Sequence, residues 1–292
     1  MPRPPAPTFD LQSHSAHSDG ELAADELVAA AAAAGVELLA LTDHDTIAGV
    51  GDAEAAARSA GIRLVPATEI TAIFEGGRDL HILGYLLDPS DEVLRRALER
   101  SRGSRELRAE AMVRTLRELG FAVDDSLPAK RAAEGGSVGR PHIAQAVVGS
   151  PANRSRLQDE GLTDPNAFLA AYLTEGRPAF VPRAAPTVAE AITLIHGAGG
   201  LAVWAHPFWD IEQPDGVLAA VDAFHALGLD GVEAFYATHT EAQTRLLARR
   251  CTELELLSTG SSDFHGPHHR LFSSFRAFDT FGLEPRLGPL AG

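Results

Sequence analysis

Cysteine is almost missing from this chain of 292 residues, where Cys251 stands alone. One thiol cannot build an intrachain disulfide framework, which fits a reducing compartment. Long apolar runs are missing too. No stretch approaches the roughly 20 apolar residues of a membrane span, and the proline-rich start from Met1 to Pro7 has no apolar signal core. A cytoplasmic protein without a membrane partner is the expectation. Basic charge is also short, with a formal net charge of -15. Long nucleic acids are held by arrays of Lys and Arg, so none is expected as a partner. A small phosphorylated ligand stays open, because bound divalent cations supply positive charge locally. Lys130 is the only lysine. Nearly all basic side chains are therefore guanidinium, the bidentate group suited to phosphate; a GC-rich genome explains the same bias more plainly.

What is present is ordinary globular composition, 45% hydrophobic and 22% charged, and enough length for one large domain or a domain with an insertion. Val36 to Thr42, Ile62 to Ala67, Leu80 to Leu86, Leu201 to Ala205, Gly231 to Phe235 and Leu256 to Thr259 read as short buried strands. Helical patterns alternate with them, such as Glu21 to Ala34 before Gly35 and Asp52 to Ala60 before Gly61, glycine being the expected stop. That alternation predicts parallel strands with helical crossovers. From about Ser90 to Val181 the pattern is almost wholly helical, including one arginine-rich helix over Arg95 to Leu119. The chain reads as an α/β barrel over 1–89 and 182–292, with a helical, substrate-capping insertion over 90–181.

Candidate metal ligands fall at one place in this scheme. Asp10-Leu11-Gln12-Ser13-His14-Ser15 and Ser18-Asp19-Gly20 follow the first strand, Thr42-Asp43-His44-Asp45 the second and Glu69 the third. His81 lies near the next strand, Ala205-His206-Pro207 ends a later one, and Ser262-Asp263-Phe264-His265-Gly266 ends the last. The C-terminal ends of barrel strands form one face, so ligands scattered in sequence converge in space. Imidazole with carboxylate is a donor set for first-row divalent ions. Single histidines are usually polar surface groups, the reading given to His17, His196, His225, His268 and His269. Asp19 has an alternative as a helix N-cap. Glu69 follows an apolar run, where an unpartnered buried acid is costly and a metal offsets that cost.

With these motifs in hand, the chain resembles the PHP (polymerase and histidinol phosphatase) superfamily of metal-dependent phosphoesterases, from Phe9 to about Gly266. It is most similar to a bacterial group with a helical insertion, sharing Gly139-Arg140-Pro141-His142-Ile143-Ala144. That group acts on nucleoside 3′,5′-bisphosphates or the 5′ ends of short RNA. The resemblance implies a distorted (β/α)7 barrel and two or three divalent ions, manganese first, with iron or zinc as alternatives. It places the residue at 12, His14, Glu69 and Asp263 around one ion. A second takes Glu69 as a bridge with His81 and His206, and a third takes Asp19, His44 and His265. Gln12 departs from the family's imidazole at that position, and a neutral amide oxygen is a weaker ligand for these metals.

The resemblance implies hydrolysis of phosphate monoesters of small nucleotides, or of oligonucleotide 5′ ends, by hydroxide formed between two ions, with Glu69 and Asp263 in the catalytic centre. Arg140 and His142 open a predicted helix whose free N–H groups favour anions, which makes them candidates for substrate phosphate. Arg102, Arg105 and Arg108 are weaker candidates on a charged helix face. His239, after the strand ending at Phe235, is a candidate proton donor to the leaving group. Two other readings remain open: a metal-dependent hydrolase of a non-phosphate bond, or a metal or nucleotide sensor without catalysis, motivated by Gln12. Barrels of the first kind often use a metal-bridging carboxylated lysine, and Lys130 lies in the insertion.

Overall fold

The sheet order follows the chain. A computed structural model describes residues 7–74, 78–124, 138–182 and 185–292, without the side chains of residues 105 and 106; Lys130 and the side chain of Arg105 lie outside that description. Strands β1 (Phe9–Asp10), β2 (Leu38–Leu41), β3 (Arg63–Phe74), β4 (Arg78–Tyr85), β5 (Leu201–Trp204), β6 (Gly231–Tyr236) and β7 (Leu257–Ser261) pair in that sequence. The Leu11 N–H then donates to the Gly260 carbonyl at 3.2 Å, and Ser13 bridges Phe264, so the last strand returns to the first. The result is a nearly closed seven-stranded α/β barrel.

Not every strand is parallel. β4 runs antiparallel to both β3 and β5, with Thr71 opposite His81 and Ile82 opposite Trp204. The reason is length: only residues 75–77 separate Phe74 from Arg78, whereas a parallel crossover needs a dozen residues or more. The reversal brings the start of β4 to the face where the parallel strands end. β3 is also longer than the sequence suggests, so Glu69 sits within it rather than after it.

Helices cover the barrel where their apolar positions recur at helical spacing. α1 (Ala24–Ala33) buries Ala24, Leu27, Val28 and Ala31, carries Asp25 and Glu26 in its first turn, and is followed by Gly35 at φ 77°. Acidic groups there complement the helix dipole. α2 (Val50–Ala60) ends on left-handed Gly61. Inside the barrel, Leu11, Val65, Leu83, Tyr85 and Val203 pack together, and the Tyr85 hydroxyl donates to the Leu11 carbonyl at 2.8 Å. Outside it, Trp204, Phe224 and Ile192 fill the sheet–helix layer. Each such side chain contributes about 1.5–3 kcal/mol on burial.

The chain divides into two units, residues 1–99 with 186–292 and residues 100–185. α3 (Glu92–Glu118) passes from the first into the second. The second unit has its own core, in which Met112, Leu116, Ile143 and Phe168 are buried and Phe121 meets Phe168 edge-on. Its α4 (Arg140–Gly149), α5 (Arg154–Asp159) and α6 (Pro165–Tyr172) include a helix start capped by Asp164 with proline at its first position. No helix among the described residues is long and apolar enough to cross a membrane.

Candidate metal centre

Three aspartates tie the loops of the ligand-bearing face together. Asp10 accepts the N–H and hydroxyl of Ser262 and the N–H of Arg276. Asp43 accepts the Ser15 N–H and the hydroxyls of Ser15 and Ser18. Asp45 accepts the N–H and hydroxyl of Thr71. The loop from His14 to Gly20 also folds back on itself so tightly that a Cβ at position 20 would lie 1.8 Å from the His14 carbonyl oxygen. Only glycine fits there.

Within this frame the two oxygens of Glu69 address separate groups. Oε1 lies 2.7 Å from His81 Nδ1 and 3.2 Å from His206 Nε2. Oε2 lies 3.1 Å from His14 Nε2 and 3.4 Å from His44 Nδ1. Asp263 Oδ1 also reaches His14 Nε2 at 3.1 Å. Asp19 stands 3.5 Å from each of His44 Nε2 and His265 Nε2. The ligand atoms of His14, Asp19, His44 and His265 lie within 4.8 Å of one another, as do those of His44, Glu69 and His81. Eight of the nine residues read as ligands thus converge on one face.

Gln12 joins them in a different sense. Its Nε2 donates to Glu69 Oε2 at 3.2 Å, and its oxygen faces the Ser261 hydroxyl at 3.5 Å. In this arrangement the amide turns hydrogen rather than a lone pair toward the cluster.

The donor chemistry fits divalent metal. His14 Nε2, His44 Nδ1 and Asp263 Oδ1 are buried and make no aligned hydrogen bond, although His14 Nε2 is 3.1 Å from two carboxylates. These atoms meet around shared points rather than pairing along N–H directions, as ligands do. His265 Nδ1 lies 2.7 Å from the Asp263 carbonyl; donation there leaves the Nε2 lone pair facing Asp19, the usual way a second bond sets a ligand's tautomer. His206 and Asp263 both have left-handed backbones, φ 30° and 55°, a strained state typical of sites held by their surroundings. His206 is held by its N–H donating to Glu233 Oε2 at 2.9 Å.

Electrostatics follow from crowding. Burial works to raise the Glu69 carboxyl, yet His44, His81, His14 and His206 together hold it well below its usual range. Burial works to lower His206, but Glu69 beside it prevails and pushes it up to about 10. His44, with desolvation dominant, is pushed down to about 3. Such opposed shifts follow from packing imidazoles and carboxylates into one buried cluster.

The other candidates separate. His239 is buried, with Nδ1 3.2 Å from the Ala234 carbonyl and Nε2 without a partner. Burial, with the His206 charge adding, pushes it down to about 4. Arg140 and His142 belong to the second unit at the start of α4, where His142 Nδ1 accepts the Gly139 N–H at 3.0 Å and so caps its own helix. Arg108 donates to the Val181 carbonyl and lies over Phe180, both in its own unit.

Two residues escaped sequence reading. Tyr236 donates its hydroxyl to Asp263 Oδ2 at 2.7 Å, and Glu233 accepts from Ser261 as well as His206. Burial pushes Glu233 up to about 8. The available signal was an acid in the apolar run from Gly231, the same signal that exposed Glu69.

Comparison with known proteins agrees with this geometry. The PHP domain family model matches residues 10–121. A 5′-3′ exoribonuclease of Haemophilus influenzae is 37% identical over 89% of this chain and 90% of its own. A 3′,5′-nucleoside bisphosphate phosphatase of Chromobacterium violaceum is 32% identical over 89% of this chain and 87% of its own. A solved structure from Bifidobacterium adolescentis, assigned as a metal-dependent phosphoesterase, superposes with a TM-score of 0.75 at 31% identity, covering 92% of this chain and 91% of that one. This chain belongs to the PHP-domain family and is a metal-dependent hydrolase of phosphoester bonds.

Proposed function

We propose that the protein releases phosphate from small nucleotides, nucleoside 3′,5′-bisphosphates first, or acts at the 5′ ends of short oligonucleotides. The observation that carries this reading is Glu69, whose two oxygens face two different sets of imidazoles. A carboxylate so placed is suited to bridge two cations. In the proposed assignment His14, Glu69 and Asp263 hold one ion, with residue 12 beside it. Glu69, His81 and His206 hold a second, and Asp19, His44 and His265 a third. Manganese is the proposed metal. Divalent ions at such sites acidify water and neutralise phosphoryl charge.

The protein's own side chains supply the rest. Tyr236 fixes the Asp263 carboxylate by its hydrogen bond, and Glu233 fixes the backbone of His206. His239, buried with Nε2 unpartnered, is proposed to give a proton to the leaving group. Arg140 in the helical insertion is proposed to grip a second phosphate through its planar guanidinium. The names of the Haemophilus and Chromobacterium relatives support nucleotide substrates.

The test is a screen of the manganese-loaded protein on adenosine 3′,5′-bisphosphate, a 5′-phosphorylated trinucleotide and an aryl phosphate, with phosphate release and metal content measured together. Release should stop on chelation and return with metal, and Glu69→Gln should lose both metal and turnover. Lack of release from every phosphate ester, or full turnover in metal-free protein, overturns the reading.

A further inference from the structure

Seven large apolar side chains are exposed among the described residues, and Trp209 is the only aromatic one, at 53% exposure. Scattered exposed leucines need no explanation. This indole differs because it is fixed in place beside the ligand cluster. Its backbone N–H donates to the carbonyl of His206, three residues earlier in chain order. Its Nε1 donates to Thr238 Oγ1 at 3.0 Å, which anchors the ring to the loop after β6. One side meets Phe272, with ring centres 5.8 Å apart. Phe272 in turn lies 5.7 Å from His265 and stacks on His269 at 5.2 Å. A continuous run of rings thus leads from a proposed metal ligand to an exposed indole.

We infer that Trp209 is a stacking platform for the base of the nucleotide whose phosphate is bound at the ligand cluster. The inference rests on the proposed nucleotide reading and adds what recognises the base. A flat ring whose rotation is blocked at both ends offers its face with little ordering cost on binding. Stacking is sequence-tolerant because every base has a π-face, and it needs no positive charge. That suits a chain with net charge -15, which has little to spare for gripping a nucleotide by charge alone. Trp204, the second tryptophan, is fully buried and hydrogen-bonded to Asp210, so it serves as an internal reference.

The probes are adenosine 5′-monophosphate, ribose 5-phosphate and a 5′-phosphorylated trinucleotide, titrated into manganese-loaded protein with calorimetry and tryptophan emission followed together. Adenosine 5′-monophosphate should bind roughly ten-fold or more tightly than ribose 5-phosphate and should quench emission. Trp209→Ala should remove most of that ratio, whereas Trp209→Phe should keep much of the ratio and lose the quench, leaving only Trp204 emission. A trinucleotide that binds tighter than the mononucleotide assigns the platform to chain ends; equal binding assigns it to a single nucleotide. Equal affinity for the two monophosphates in wild type, an unchanged ratio in Trp209→Ala, or no binding of adenosine 5′-monophosphate overturns the inference. Hydrolysis is scored separately. A protein that stacks the base on Trp209 but releases no phosphate sinks the proposed function and leaves the platform standing.

Discussion

Tyr236 holds one oxygen of Asp263 and frees the other. Its hydroxyl donates to Oδ2 at 2.7 Å, while Oδ1 lies 3.1 Å from His14 Nε2 without an aligned hydrogen bond. The tyrosine therefore decides which lone pairs face the cluster. Tyr236→Phe removes only that hydroxyl. Outer-shell partners of metal ligands usually affect affinity by about ten-fold or more, so metal titration should show weakening of that order at one position. The circular dichroism spectrum should stay as in wild type. An unchanged metal affinity would mean that the carboxylate is oriented by its backbone alone.

Gln12 is the one residue of the expected ligand set that is an amide, and its N–H donates to Glu69 Oε2 at 3.2 Å. Gln12→His exchanges that donor for imidazole, a better ligand for manganese, iron or zinc. Metal content measured by mass spectrometry should rise in the variant, and turnover at limiting metal should rise with it. At saturating metal, turnover should change little. Equal metal content in both proteins would remove residue 12 from the ion assignment.

Acidity of the metal-free cluster sets a pH dependence of known sign. His206 is pushed up to about 10 from an ordinary 6.5, because Glu69 outweighs burial. Its charged form stabilises metal-free protein fully below 6.5, and that contribution is lost as pH rises toward 10. Metal binding has the opposite sign, since imidazole must lose its proton to bind. The melting temperature of metal-free protein should fall between pH 7 and 10. The gain on adding manganese should grow over the same range, with protons released into weakly buffered solution. A metal-induced gain that shrinks with pH contradicts this account.

Arg140→Ala should weaken a bisphosphate substrate by about 1.5–3 kcal/mol, the scale of one charge-assisted hydrogen bond. Metal content should not move, because Arg140 lies outside the cluster and in the second unit. The loss should be larger for a nucleoside bisphosphate than for an aryl phosphate with one phosphoryl group. Equal loss on both places the guanidinium at the reacting phosphate instead.

Much of the centre was legible because its residues break local rules. A histidine or acid at the end of an apolar run is out of place unless something holds it, and His14, His44, Glu69, His206 and Asp263 all occupy such positions. Strand direction was not legible in the same way. β4 is buried on both faces over much of its length, so its composition is the same whichever way it runs. Its reversal was readable only from the short gap before Arg78. Tyr236 also lay out of reach, because a tyrosine ending a buried strand looks like core until its hydroxyl partner is known. The same holds for Gln12, whose rotation depends on Ser261 at the far end of the sequence. The cap that His142 Nδ1 provides for α4 was not legible either, because it depends on the ring's rotation toward Gly139.

Asp10, Asp43 and Asp45 form a girdle around the ligand-bearing loops. These carboxylates take their partners from serine, threonine and backbone N–H groups, so the loops are laced together by the polypeptide itself. None of these bonds needs an ion, so chelation should empty the ligand cluster without opening the loops, and amide hydrogen exchange at Ser15, Thr71 and Ser262 should stay slow in metal-free protein.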